Sequence, residues 1–179
     1  MAGNLLSRSL HDLSAAAWFG GSLMGAVGLN GATAEAKDPK ERTRLSTLGW
    51  GKWAPVQTVA FAAHAVGGLG LIFANKGRVA NQNGVTGNTV AKSILTVAGM
   101  GVTLYSGMLG AKVGKLADQG SEGATEPRAS ASEELKKAQK QLKTLQWVIP
   151  CISGAVVVLG AHQGEMQRPS NVAKGLFRH

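Results

Sequence analysis

Three histidines are the side chains best suited to chemistry inside the apolar parts of this chain. His64 lies in the middle of a stretch without charged residues, and His11 and His162 lie near the ends of two others. Imidazole nitrogens are common ligands of transition metals and of haem iron. A redox or metal centre at His64, or at His11 with His162, is therefore one hypothesis for this sequence.

Helix geometry tests whether these histidines could share an ion. If each apolar stretch is a straight helix, His64 lies roughly 15 Å from the predicted cytoplasmic boundary, His162 roughly 25 Å and His11 roughly 33 Å, at ~1.5 Å per residue. Ligands of one ion must converge much more closely. We therefore predict no cofactor and a neutral, hydrogen-bonded His64, with a haem or a transition metal as the alternative.

Other chemistry is not indicated by the sequence. It contains no zinc-protease helix motif, no paired cysteines, no nucleophilic serine elbow and no phosphate-binding loop. The lone Cys151 can form no internal disulfide, and its predicted role is that of a small buried hydrophobe. No catalytic residue is predicted.

The distribution of charge identifies the elements that position the histidines. Four stretches contain no Asp, Glu, Lys or Arg: 13–34, 53–75, 93–111 and 144–164. Each is close to the ~20 residues that a helix needs to cross a hydrocarbon core. The sequence predicts an all-α integral membrane protein, a four-transmembrane-helix bundle with spans at about 12–34, 53–75, 93–112 and 145–164. A soluble bundle is disfavoured, because its helices would carry charge on their wet faces.

The basic residues predict the orientation. The chain carries 19 Lys and Arg against 10 Asp and Glu, and the loops 35–52 and 112–144 hold most of the basic ones. The positive-inside rule then places both loops in the cytoplasm and both termini outside, in a bacterial inner membrane. The predicted partner of this charge is the anionic inner leaflet rather than nucleic acid.

Two sequence patterns concern packing. The order of span, polar loop, Trp, Pro and span occurs twice, at Trp53 to Pro55 and at Trp147 to Pro150, which suggests two repeated helical hairpins. Small residues at helical spacing predict close helix contacts within the bundle, with a contact to another copy or another membrane protein as the alternative. These residues are Gly21, Gly25, Gly28, Ser106 and Gly110.

The second cytoplasmic loop has two predicted parts. Residues 117–130 have no apolar pattern and are predicted to be flexible. A basic amphipathic helix is predicted over 131–145, capped by Ser130 and running into the fourth span. Its lysines are predicted to face the lipid surface, with a protein docking site as the alternative. They are Lys136, Lys137, Lys140 and Lys143.

Two resemblances add to this interpretation. His11 followed by Trp18, Gly20 and Gly21 resembles the first helix of copper-resistance-D-like membrane domains, which would imply a metal or redox role for His11 alone. The segment 68–82 with Asn75-Lys76-Gly77-Arg78, the run Leu145-Gln146-Trp147, and the run from Gly164 to Pro169 resemble four-span inner-membrane proteins of actinobacteria. That family implies a location and a topology, and no assigned activity.

Taken together, the sequence favours a structural, scaffold or accessory subunit of a membrane complex, without catalytic activity. The first alternative is a redox membrane protein that binds haem or a metal. The second is a small channel or transporter.

Overall fold

The structure is a computed structural model that describes residues 4–172. These residues form helices without any β-strand, and only an isolated bridge joins Ser121 to Pro127. The main helices are α1 (Leu5–Met24), α2 (Asn30–Ala34), α3 (Pro39–Ala74), α4 (Lys76–Asn81), α5 (Val85–Lys115) and α6 (Glu133–Glu165). A π-helical segment, Gly25–Leu29, joins α1 to α2 without a break.

Three of these helices, α3, α5 and α6, are long and apolar enough to cross a membrane. In the most apolar part of each helix, only 22%, 11% and 22% of the residues, respectively, are buried inside the protein. Most of the apolar surface of these helices therefore faces outward, as expected where the surrounding solvent is lipid. The all-helical, multi-pass membrane class predicted from the sequence is confirmed at this level.

The helices form a ring in which α1 lies between α3 and α6, and α5 closes the ring by contacting α6 and α3. Trp18 of α1 is at the centre and is 1% exposed. Its ring meets Phe61 of α3 edge to face at a centroid distance of 5.1 Å, and its Nε1 donates to Thr103 Oγ1 of α5 at 3.3 Å. Trp18 of α1 thus contacts both α3 and α5.

The predicted loop 35–52 is mostly helix. α3 begins at Pro39, where the Asp38 side chain caps the helix by accepting from the Lys40 amide at 2.9 Å. Aspartate at the N-cap followed by proline at the first helical position is a strong start signal. The helix extends beyond the apolar span because charge ends such a span without ending a helix. As a result Pro55 lies in the helix interior.

The segment predicted to be flexible, 117–130, instead packs against the helices. Ser121 is fully buried, its Oγ lies 2.7 Å from Thr43 Oγ1, and its amide donates to the Pro39 carbonyl at 3.0 Å. Gln139 of α6 donates to the Ala124 carbonyl at 3.2 Å. Composition alone did not predict that this segment is ordered. Its hydrogen-bond partners are polar groups of α3 and α6, which lie outside it in the sequence.

The helix predicted over 131–145 is the first part of α6. Its cap is Ser132 rather than Ser130, and the Ser132 hydroxyl accepts from the Leu135 amide at 3.3 Å. Leu135 and Ala138 are buried against Leu109 and Val113 of α5. The apolar face of this helix is therefore covered by protein and does not rest on a lipid surface. Lys137 and Lys140 are exposed, whereas Lys136 and Lys143 pair with Glu133 and Glu126.

Candidate functional site

A cavity of about 280 Å³ lies at the end of the bundle that carries α4. Residues from α1, α3, α4, α5 and α6 line it. Its apolar wall includes Leu69, Ile72 and Val97. Five helices thus contribute side chains to a common space.

Three cationic side chains line the cavity, each from a different helix: Arg8 of α1, Arg78 of α4 and Lys92 of α5. Arg8 Nη2 donates to Gln167 Oε1 at 2.7 Å, and Lys92 Nζ donates to Gln163 Oε1, also at 2.7 Å. Arg78 Nε donates to Gln82 Oε1 at 2.8 Å, and its Nη2 donates to the Met166 carbonyl at 3.2 Å. Neutral amides position the three cations.

None of these cations has a carboxylate within 4 Å among the described residues. Asp12 is the single acidic residue of the lining, and its Oδ1 accepts from His11 Nδ1 at 2.8 Å. Burial, with a further contribution from the Arg8 charge, lowers the pKa of the Arg78 guanidinium. The cavity therefore holds an excess of positive charge that neighbouring protein groups do not balance.

His11 and His64 stack on each other in the same cavity wall, with ring centroids 4.2 Å apart. The depth arithmetic, which separated these two histidines, was wrong. α3 begins at Pro39, so His11 and His64 lie almost equally far along the chain on either side of the Asp38 turn. Two antiparallel helices joined by a short turn place such residues at the same level.

Both ring nitrogens of His64 have partners. Nδ1 donates to the His11 carbonyl at 3.1 Å, which places the ring proton on Nδ1 because a carbonyl oxygen only accepts. Nε2 lies 3.4 Å from Thr96 Oγ1, close enough to accept from that hydroxyl. Ligation of an ion by His64 would require one of these hydrogen bonds to break. By contrast, His11 Nε2 has no hydrogen-bond partner in residues 4–172.

The remaining histidine and the cysteine are elsewhere. His162 is exposed, and its Nδ1 lies 3.3 Å from Asn88 Nδ2 rather than against His11. Cys151 is exposed on α6 instead of buried. In the part of the chain that the structure describes, no three His, Cys, Asp or Glu side chains come together as a metal-binding group.

The predicted packing residues fall into two groups. Gly21 and Gly25 of α1 lie directly under the indole rings of Trp53 and Trp50 of α3. A side chain at Gly28 would meet only Met24, about one turn earlier in the same continuous helical run, and one at Gly110 would meet nothing within 4 Å. Ser106 is half-buried. The structure thus brings the first two against another helix and leaves Gly110 facing away from the bundle.

The sequence interpretation missed Arg8, Arg78 and Lys92 as site residues. All three lie at the end of the bundle that the predicted orientation places outside, where the positive-inside rule expects few basic residues. Basic residues there, beside apolar spans, were the signal that could have found them. Their convergence could not be read from the sequence, because it depends on how α4 folds back over the end of the bundle.

We expect His64→Gln to fold and insert almost normally. Hydrogen bonds between membrane helices contribute only ~0.6 kcal/mol on average. Losing those of His64 should therefore lower the free energy of unfolding only slightly. Thermal unfolding in detergent measures this, with exposed His162→Gln as the control. An optical and metal analysis of the same samples tests the alternative, since a Soret band or stoichiometric metal that disappears in His64→Gln would contradict a structural role.

No family model matches this chain, and no curated protein or solved structure matches it either. The candidate site is therefore defined by its own geometry: a positively charged cavity with an apolar wall at one end of a membrane bundle. Such a site can bind a negatively charged group through charge-assisted hydrogen bonds.

Proposed function

We propose that the protein is a four-span inner-membrane scaffold or accessory subunit without a catalytic role of its own. α1 supplies the fourth span in this proposal. The run of α1, π segment and α2 from Leu5 to Ala34 is continuous, lies alongside α3 and α6, and is free of charge from residue 13 onward. At ~1.5 Å per residue, the charge-free part alone reaches about 33 Å, enough for the hydrocarbon core.

The orientation follows from the basic residues. The folded end that contains the first turns of α3, the segment 117–130 and the start of α6 carries most of them, and we place it in the cytoplasm. The repeated hairpins remain a proposal, supported by the pairing of α1 with α3 and of α5 with α6.

One observation carries the accessory role: the small residues on α5 that face away from the bundle. Of the three long apolar helices, α5 has the smallest buried share in its most apolar part. Gly107 and Ala111 are exposed at helical spacing, and neither Gly107 nor the adjacent Gly110 would bring a side chain within 4 Å of another group. In lipid, small residues let a second helix approach closely. We propose that this second helix comes from another chain.

We expect Gly107→Leu to remove the partner while leaving the single chain stable. The leucine would block close approach of the proposed partner helix, and no group of the same chain is displaced. Blue native electrophoresis in mild detergent should show wild-type protein above the mass of one chain and Gly107→Leu at that mass. Thermal unfolding of the isolated variant should be unchanged.

Gly101→Leu is the matched control. Gly101 is also exposed on α5 with no neighbour within 4 Å, but it points about a third of a turn away from Gly107. The Gly101→Leu variant should therefore still migrate above the mass of one chain. A wild-type protein that migrates as a single chain, or an assembly that survives Gly107→Leu, would contradict the proposed role.

A further inference from the structure

The cavity that contains Arg8, Arg78 and Lys92 has two parts of different chemistry. Its cationic part lies among the ends of α1, α4 and α5 and the C-terminal end of α6. Its apolar part lies between α3 and α5, which contact each other less extensively than the other neighbouring pairs of the ring. An occupant that satisfies both parts has to carry negative charge at one end and hydrocarbon at the other.

The apolar part continues onto the outer surface of the bundle. Leu69 and Val97 both line the cavity and are 56% and 72% exposed, on α3 and α5 respectively. Ile72 extends the same rim. These side chains lie on helices that are apolar enough to cross a membrane, so the rim faces the acyl chains. A lipid could therefore lie along the α3–α5 cleft without leaving the bilayer.

The cationic part is built to hold an oxyanion. Amide oxygens or a backbone carbonyl occupy only some of the donors of Arg8, Arg78 and Lys92. A guanidinium offers five N–H donors and an ammonium three, so donors remain for a ligand. The half-buried position of the three side chains strengthens their attraction for an anion relative to fully exposed lysines.

We propose that this cavity binds one lipid with an anionic phosphate headgroup, held by Arg8, Arg78 and Lys92, with its acyl chain in the α3–α5 cleft. The phosphate oxygens accept from the two guanidinium groups and the ammonium group. Asp12 stays paired with His11 and turns its charge toward the histidine. This proposal goes beyond the accessory role and does not depend on it, because the cavity lies inside a single chain.

Lipid competition measured by native mass spectrometry tests the proposal. The purified protein is offered phosphatidylglycerol and phosphatidylcholine with identical acyl chains. Wild-type protein should retain phosphatidylglycerol preferentially, and the Arg78→Gln, Lys92→Gln double variant should retain it about tenfold less, because two charge-assisted hydrogen-bond sites are lost. The control Lys137→Gln, Lys140→Gln removes the same charge from exposed residues at the other end of the bundle.

Lys92→Arg keeps the charge and should keep the preference, while Lys92→Gln alone should weaken it. This pair preserves the test if the double variant does not fold. A second arm measures thermal stabilisation by free glycerol phosphate. Equal stabilisation by glycerol phosphate and by phosphatidylglycerol would mean that the site binds a soluble anion and would overturn the lipid assignment. No preference in the wild type, or equal loss in the control, would overturn the anion site itself.

Discussion

Gly67→Ala should destabilise the protein more than any other glycine-to-alanine change in the bundle. A methyl group at Gly67 of α3 would lie 2.6 Å from the His11 amide nitrogen and 2.6 Å from the Ser7 carbonyl oxygen, both backbone atoms of α1. Backbone cannot rotate aside as a side chain can, so the two helices have to separate. Overpacking of this kind costs about 3 kcal/mol. The separation would also open the cavity wall that His11 and His64 form.

The measurement is thermal unfolding in detergent, with Gly51→Ala as the matched control. Gly51 is also in α3, and a methyl group there would meet nothing within 4 Å. Alanine is the better helix former by about 1 kcal/mol, so Gly51→Ala should be neutral or stabilising. Equal melting temperatures for the two variants would show that α1 and α3 do not approach each other at this register.

Gly99→Ala is expected to have the second largest effect. A methyl group there would lie 2.6 Å from Trp18 Cη2 and 2.7 Å from Ile152 Cγ2, so it collides with the buried centre of the ring of helices. Trp18 has no open side toward which to move, since it is 1% exposed. We expect the free energy of unfolding, measured by thermal unfolding, to fall by about 1–3 kcal/mol. The control Gly101→Ala, which has open space around it, should show no such fall.

A double-mutant cycle makes this prediction specific. Trp18→Phe removes the two ring carbons that the new methyl group would meet, so Gly99→Ala should cost less in the Trp18→Phe background than in the wild type. Additive effects of the two substitutions would contradict the packing of Trp18 on Gly99. The cycle therefore tests the centre of the bundle independently of the cavity.

The sequence predicted the membrane class because absence of charge over a helical length is an unambiguous signal. It did not predict the register between the first two long helices. The apolar stretch begins at Trp53, whereas the helix begins at Pro39, and the start signal is the short Asp38-Pro39 pair rather than hydropathy. With that signal included, the level of His11 beside His64 could have been predicted from the sequence.

The candidate site was less predictable than the helices. Arg8, Arg78 and Lys92 are far apart in the chain, and their convergence requires α4, a helix of six residues with no apolar pattern, to fold over the end of the bundle. Long-range contacts of short polar segments leave no periodic trace in a sequence. The same reason explains why the buried Ser121 and its contact with Thr43 were not predicted.

Residue-specific labelling with a membrane-impermeant thiol reagent tests the central claim, that four helices cross the membrane and place the cavity outside. Single cysteines are introduced at Asn4, Asn81 and Ser130 in a Cys151→Ala background. Asn4→Cys and Asn81→Cys should react in intact cells, and Ser130→Cys should react only after lysis. Protection of Asn4→Cys with labelling of Asn81→Cys would contradict the account, because α1 would then not cross the membrane. Labelling of Ser130→Cys in intact cells would also contradict it, by inverting the orientation.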